Sequence, residues 1–135
     1  MTVFYFVPRH TLAEEVAEDF EKINPDLHAA VYRGIERPDP DQTDHAMCHD
    51  LELAKAAIGA GQSLETSCNV CRASSVCGYR KQRDIRAEFW VLPNQLAFLH
   101  KPDWLPEPTV EIFDEDFIEG GLAGFDTQHP VRVII

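Results

Sequence analysis

Basic residues are scarce in this chain. Lys and Arg number 12 against 23 Asp and Glu, for a net charge of −11. The sum alone argues against a nucleic-acid partner. No apolar run approaches the roughly 20 residues of a membrane-spanning helix, so no membrane partner is expected. The opening MTVFYFVPRH has neither a basic leader nor a long apolar core, so the chain reads as soluble and cytoplasmic. Nowhere is there a G-x-x-x-x-G-K-[ST] loop, and GAGQS at 59–63 has no lysine. The phosphate cradle of a nucleotide-hydrolysing enzyme is therefore missing. Internal repeats and low-complexity tracts are absent too.

What is present fits one domain: 135 residues, 44% of them apolar. TVFYFV at 2–7 reads as a buried, central parallel strand ended by Pro8. Thr11 then reads as an N-cap, with Glu14 completing a capping box. Leu12, Val16, Phe20 and Ile23 recur at near-helical spacing, and Asn24-Pro25 ends that helix. HAAVYRG at 28–34 is a second strand. Strand, helix and strand make a βαβ unit, so the fold class is α/β with a parallel sheet.

Sheet pattern returns only at AEFWVL, 87–92. Roughly residues 36–86 thus form an insertion, too long for an ordinary connection. It holds a short helix at 50–61 and all four cysteines: Cys48, Cys68, Cys71 and Cys77. Clustered thiols in a chain without an export signal point to a metal rather than to disulfides. Four thiolates fill either a zinc or an iron–sulfur site, and His45 or His49 beside Cys48 is an alternative zinc ligand. A metal would also order a segment that has no core of its own.

After Pro93, NQLAFLH fits a short helix and KPDWLPEP a connector. TVEIF at 109–113 is another strand, with Asp114, Glu115 and Asp116 at its carboxyl end. Ligands of open parallel sheets bind at that end of the strands. An aspartate there can hold Mg²⁺, and a neighbouring glutamate can orient water. The competing reading is an acidic first turn of a following helix.

In this order the pieces resemble the first RecA-like domain of iron–sulfur superfamily 2, DEAH-like DNA helicases, most closely the helicase part of phage-like primase–helicases. FYFVPRHTLAEEVAEDF resembles motif Ia, the four-cysteine insertion follows, and VEIFDEDF resembles motif II. The resemblance implies a partial RecA-like sheet and a [4Fe–4S] cluster on Cys48, Cys68, Cys71 and Cys77, with zinc as the alternative. It implies that Asp114 holds the Mg²⁺ of ATP and that Glu115 activates water. It implies that the turn carrying Arg9, His10 and Thr11 touches DNA. The chain departs from the pattern in lacking the P-loop and a second RecA-like domain. Phe117 stands where DEAH-type enzymes have histidine, and Glu111 interrupts the motif II strand, which suggests an edge or partly exposed strand. A helicase fragment is thus expected, with no ATP hydrolysis by itself, whose missing parts the remaining helicase domains or a protein partner would supply.

Charge distribution agrees with a local DNA contact. From Cys68 to Arg86 the cations are Arg72, Arg80, Lys81, Arg83 and Arg86 against Asp84, a net +4, so the other residues carry −15 of the total −11. Cysteine anchoring would let Arg80, Lys81, Arg83 and Arg86 present one cationic surface to single-stranded DNA, with Tyr79 available for stacking. The alternative is a zinc-stabilised protein-interaction module that works through its acidic faces.

Overall fold

The structure, a computed structural model, describes residues 1–99, 101–114 and 131–134. The chain divides into two compact units, residues 1–32 with 86–135, and residues 33–85. No helix among the described residues is long and apolar enough to cross a membrane.

The first unit is a parallel sheet. Its strands are β1 (Val3–Val7), β2 (Ala29–Val31), β3 (Phe89–Pro93), β4 (Val110–Phe113) and β5 (Val131–Ile134), with helix α1 (His10–Ile23) between β1 and β2. The order is β2-β3-β1-β4-β5, and every neighbouring pair is parallel. β1 is central, as its apolar run predicts. Alternation along the strands builds two faces. Val7, Val31, Phe89 and Val91 form one core cluster with Ala13 of α1, and Phe20 of α1 stacks on Phe89 with ring centroids 4.0 Å apart. On β1 and β4, Phe6 and Phe113 stack at 4.8 Å. Trp90, Val91 and Leu92 are 1%, 0% and 1% exposed, so β3 is buried on both sides.

One local expectation is corrected and two are refined. Thr11 is not the N-cap: α1 starts two residues earlier than expected, at His10, with Arg9 in the cap position and no side-chain cap bond. Arg9 is held extended after Pro8, and Leu12 N–H closes the first turn onto the Arg9 carbonyl at 3.1 Å. Of the two readings of Glu111, the partly exposed strand holds and the edge does not: β4 lies between β1 and β5, and Val110, Glu111 and Ile112 are half-buried. The KPDWLPEP connector is not merely a link. It delivers Leu105 to the interior and sets Trp104 against Trp90 at 6.1 Å between centroids, while Lys101 Nζ donates to the Leu105 carbonyl at 3.0 Å.

Residues 33–85 are more structured than a bare loop. They carry α2 (Leu51–Gly59), α3 (Leu64–Val70) and the single turn α4 (Gly78–Lys81), followed by a 3₁₀ turn, Gln82–Asp84. Asp50 caps α2 by accepting from Leu53 N–H, and Ser63 caps α3 by accepting from Thr66 N–H. These caps satisfy helix-end donors that would otherwise need water. Gly61, at φ 80°, turns the chain between the two helices, a conformation that costs glycine little.

The ends of this unit are tied by one buried amide. Gln82 Oε1 accepts from Arg33 N–H, and Gln82 Nε2 donates to the Arg33 carbonyl, both at 2.9 Å. The amide thus imitates a strand pairing. Nε2 also reaches the Tyr79 carbonyl at 3.3 Å, so Gln82→Ala removes three bonds and is expected to cost this unit about 1–3 kcal/mol. Amide hydrogen exchange over residues 33–85 would report it. Unchanged protection there would mean the amide contributes nothing.

Candidate functional site

The cysteines are placed by short backbone ties. A hairpin-like return, with an antiparallel bridge between Pro38 and Ala46, brings Cys48 N–H to the Ile35 carbonyl at 3.1 Å. Cys68 lies in the last turn of α3 and Cys71 is its C-cap, while Cys77 is the N-cap residue of α4. The Met47 carbonyl accepts from Tyr79 N–H at 2.9 Å and from Cys77 Sγ at 3.3 Å. Arg80 Nη1 donates to the Cys68 carbonyl at 2.9 Å. All three cysteine-bearing segments are therefore linked within one unit. The basic run supplies one of the links.

Cys48, Cys68 and Cys77 are buried and Cys71 is half-buried, all as free thiols. Burial pushes the Cys48 thiol up, and the fields of Cys77, Cys68 and Cys71 add to it against a backbone N–H from Asp50. Burial likewise raises Cys68, where Arg80 pulls down while Glu65, Cys77 and Cys71 push up. Burial thus favours the protonated thiol at Cys48 and Cys68. The donor set suits a thiophilic metal. The spacing is wider than a coordination sphere, since among the described residues no three His, Cys, Asp or Glu side chains are gathered tightly enough to hold an ion.

Next to the thiols is a groove of about 510 Å³ lined by Ser74, Ser75, Arg80, Lys81, Arg83 and Asp84. Three of the four expected cations meet there. Arg86 belongs to the sheet unit instead. Two of the three also have protein partners: Arg80 reaches back to Cys68, and Arg83 pairs with Glu65 at 2.8 Å. Lys81 is exposed. The expectation that Tyr79 stacks a base is corrected, because its side chain packs inward and is 7% exposed. The two serines were not singled out from the sequence, which gives a hydroxyl no marker before the groove exists.

The other predicted residues lie at the carboxyl end of the sheet. The chain leaves β1 towards β2 on one side, and from β4 it reaches β5 on the other. The neighbouring ends of β1 and β4 therefore flank a topological switch point, where open α/β sheets bind ligands. The turn with Arg9, His10 and Thr11 follows β1, and Asp114 follows β4 with its N–H on the Phe6 carbonyl at 3.2 Å. Arg9 and Thr11 are exposed and His10 is half-buried. At the neighbouring end of β3, Asn94 has a buried Oδ1 without a hydrogen-bond partner, an acceptor not evident in the sequence. Glu115, with Asp116 and Phe117, lies outside the described residues.

Asp114 has a neighbour that the sequence did not suggest. Burial raises the Tyr5 phenol above its ordinary value, and the charge and hydrogen bond of Asp114 raise it further. A raised phenol stabilises the fold at pH below the ordinary tyrosine value, and this contribution is lost as pH climbs through the raised one. Subtracting the alkaline ultraviolet titration of Tyr5→Phe from that of the parent should isolate a late-titrating tyrosine. Asp114→Asn should move that titration part of the way down. A Tyr5 titration at the ordinary value would contradict the pairing.

Comparison with protein-family models, with curated proteins and with solved structures finds no match to this chain.

Proposed function

We propose that this chain is a nucleic-acid-binding piece of an iron–sulfur, DEAH-like DNA helicase: a partial RecA-like sheet with a metal-stabilised insertion that grips single-stranded DNA weakly and does not hydrolyse ATP alone. The observation that carries this reading is the convergence of Arg80, Lys81 and Arg83 with Ser74 and Ser75 on one groove of the cysteine-bearing unit. Cations and hydroxyls together are what phosphate oxygens accept from. Cys48, Cys68, Cys71 and Cys77 would hold the cluster, or zinc in its place, and the metal would supply rigidity to a unit with few large buried side chains. Asp114 and Glu115 would serve Mg-ATP only where other helicase domains supply the P-loop. The juxtaposition of Asp114 with the Arg9–Thr11 turn supports that assignment.

A second reading has one observation in its favour. In the same unit Ile58, Val70 and Val76 are exposed apolar residues on a strongly acidic protein. They suit a zinc-stabilised module that docks another protein.

The test is a titration of fluorescent single-stranded DNA at several salt concentrations, with the Lys81→Ala, Arg83→Ala double variant beside the parent. The parent should bind weakly and without sequence preference. Each phosphate contact contributes a log–log salt slope of about −0.7, so the double variant should lose affinity and roughly 1.4 of slope. No binding at low salt, or binding that the two changes leave intact, would remove DNA and favour the docking module.

A further inference from the structure

The cations of the groove come from a very short stretch of chain. Arg80, Lys81 and Arg83 end α4 and enter the 3₁₀ turn that follows it. A surface that tracks a strand spreads its cations along a path. These three instead converge, with Ser74 and Ser75, on one space of about 510 Å³, the size of a small-ligand site.

The walls of that space are fixed by the protein's own contacts. Arg80 Nη1 is held by the Cys68 carbonyl at 2.9 Å, a neutral partner that leaves the guanidinium charge intact. Arg83 Nη1 is held by Glu65 at 2.8 Å, but the two side chains are 34% and 50% exposed, so water screens the pair. The turn with the serines is pinned as well. Ser74 N–H donates to the Cys71 carbonyl at 3.3 Å, and the Val76 carbonyl accepts from Gln42 Nε2 at 3.1 Å. The loop of Gln42 is anchored in turn. The Asp39 carboxylate, 2% exposed, accepts from Asp41 N–H at 2.9 Å and lies against Gly78, the first residue of α4, where a Cβ would collide with it. One loop thus braces both the serine turn and the helix that carries the cations. Donors held in this way lose little freedom when a ligand arrives.

Charge and donor number then separate the two kinds of phosphate that a strand offers. Three cations against Asp84 leave the lining at a net +2. An interior phosphodiester carries a single charge on two unesterified oxygens. A terminal phosphomonoester carries about −1.5 to −2 near neutral pH, on three acceptor oxygens. The lining matches the monoester in charge, and two hydroxyls, an ammonium and two guanidinium groups suit three oxygens better than two. We propose that the groove binds the terminal phosphate of a DNA strand, so that it recognises a strand end by its phosphomonoester rather than a strand interior by its backbone. The proposal rests on the reading of this groove as the single-stranded DNA site.

The experiment is a fluorescence-anisotropy titration of the full chain at fixed ionic strength. The probes are single-stranded oligonucleotides of one sequence, labelled at an internal base, with a 5′-phosphate, a 3′-phosphate or hydroxyls at both ends. At least one of the two end phosphates should tighten binding roughly tenfold or more over the hydroxyl-ended strand. Affinity for that strand should be the same at about 5 and about 20 nucleotides, because only the end is held. The Ser74→Ala, Ser75→Ala double variant should lose most of the preference. Lys55→Ala, which removes a cation of the same unit outside the groove, should keep it. Equal binding of the three strands would overturn the proposal and leave the single-stranded DNA reading intact. An end preference that survives the serine changes would overturn it too, by placing the phosphate elsewhere. A phosphoserine peptide that binds as tightly as the end-phosphorylated strand would overturn the assignment to DNA ends in favour of a protein partner. No binding of any strand at low salt would overturn the DNA reading itself, and the proposal with it.

Discussion

If the four cysteines share a metal as proposed, changing Cys48, Cys68, Cys71 and Cys77 together to serine is expected to abolish metal uptake and to unravel residues 33–85, while the parallel sheet keeps its structure. The large interior side chains of that unit are few: Met47 and Tyr79, with Ala54 and Ala57 on α2 and the thiols themselves. Such a unit buries too little apolar surface to offset the conformational entropy of its ordering. A structural zinc in small domains contributes an apparent free energy of about 10–16 kcal/mol near neutral pH, more than this core can replace. Elemental analysis and limited proteolysis check the prediction together. Fragments should begin and end within 33–85, and the sheet segments should survive. A quadruple variant with unchanged metal content and unchanged protease resistance would show that the thiols do not share a site. Any single serine should already release most of the metal, because three thiolates and a neutral hydroxyl are a poorer set for a thiophilic ion.

Leu92→Ala should weaken the sheet by about 2–5 kcal/mol, a large part of the stability of a domain this size. Leu92 is 1% exposed, on the strand between β2 and β1, and its neighbours Trp90 and Val91 are equally enclosed. Removing its branched end leaves a cavity that the sheet closes poorly, because β3 is held in register against both β2 and β1. Urea unfolding followed by tryptophan fluorescence measures the loss through Trp90 and Trp104. Ile23→Ala is the control: Ile23 is 77% exposed at the end of α1, and its loss should stay within about 0.5 kcal/mol. A Leu92→Ala protein that unfolds within 1 kcal/mol of the parent would contradict the packing described here.

The sheet was legible because its signals are local. Apolar and β-branched runs at Val3–Val7, Phe89–Pro93 and Val110–Phe113 stand out against polar flanks, and Asn24-Pro25 marks the end of α1. Segment ends were less so. The run 28–34 narrows to Ala29–Val31, and the helix expected after Pro93 is the 3₁₀ turn Asn94–Ala97. Chain ends of elements are decided by which backbone groups find partners, and a propensity does not encode that. The four cysteines could be picked out by count and spacing. Asp39 and Gly78 could not, since an aspartate between prolines reads as a turn residue until its burial is known.

The sequence by itself determined the α/β class, the parallel sheet and the grouping of all four cysteines and most basic side chains in one stretch. Each of these follows from residue type and spacing along the chain, which short-range sterics and apolar periodicity translate directly into structure. Only the tertiary structure decided that β1 and β4 meet at a switch point, with Tyr5 against Asp114. It alone turned Tyr79 inward, placed Ser74 and Ser75 beside Lys81, and set Asp39 over Gly78. These are contacts between residues far apart in the chain. Their energies depend on burial and on distances of a few ångströms, and neither exists until the chain has closed on itself.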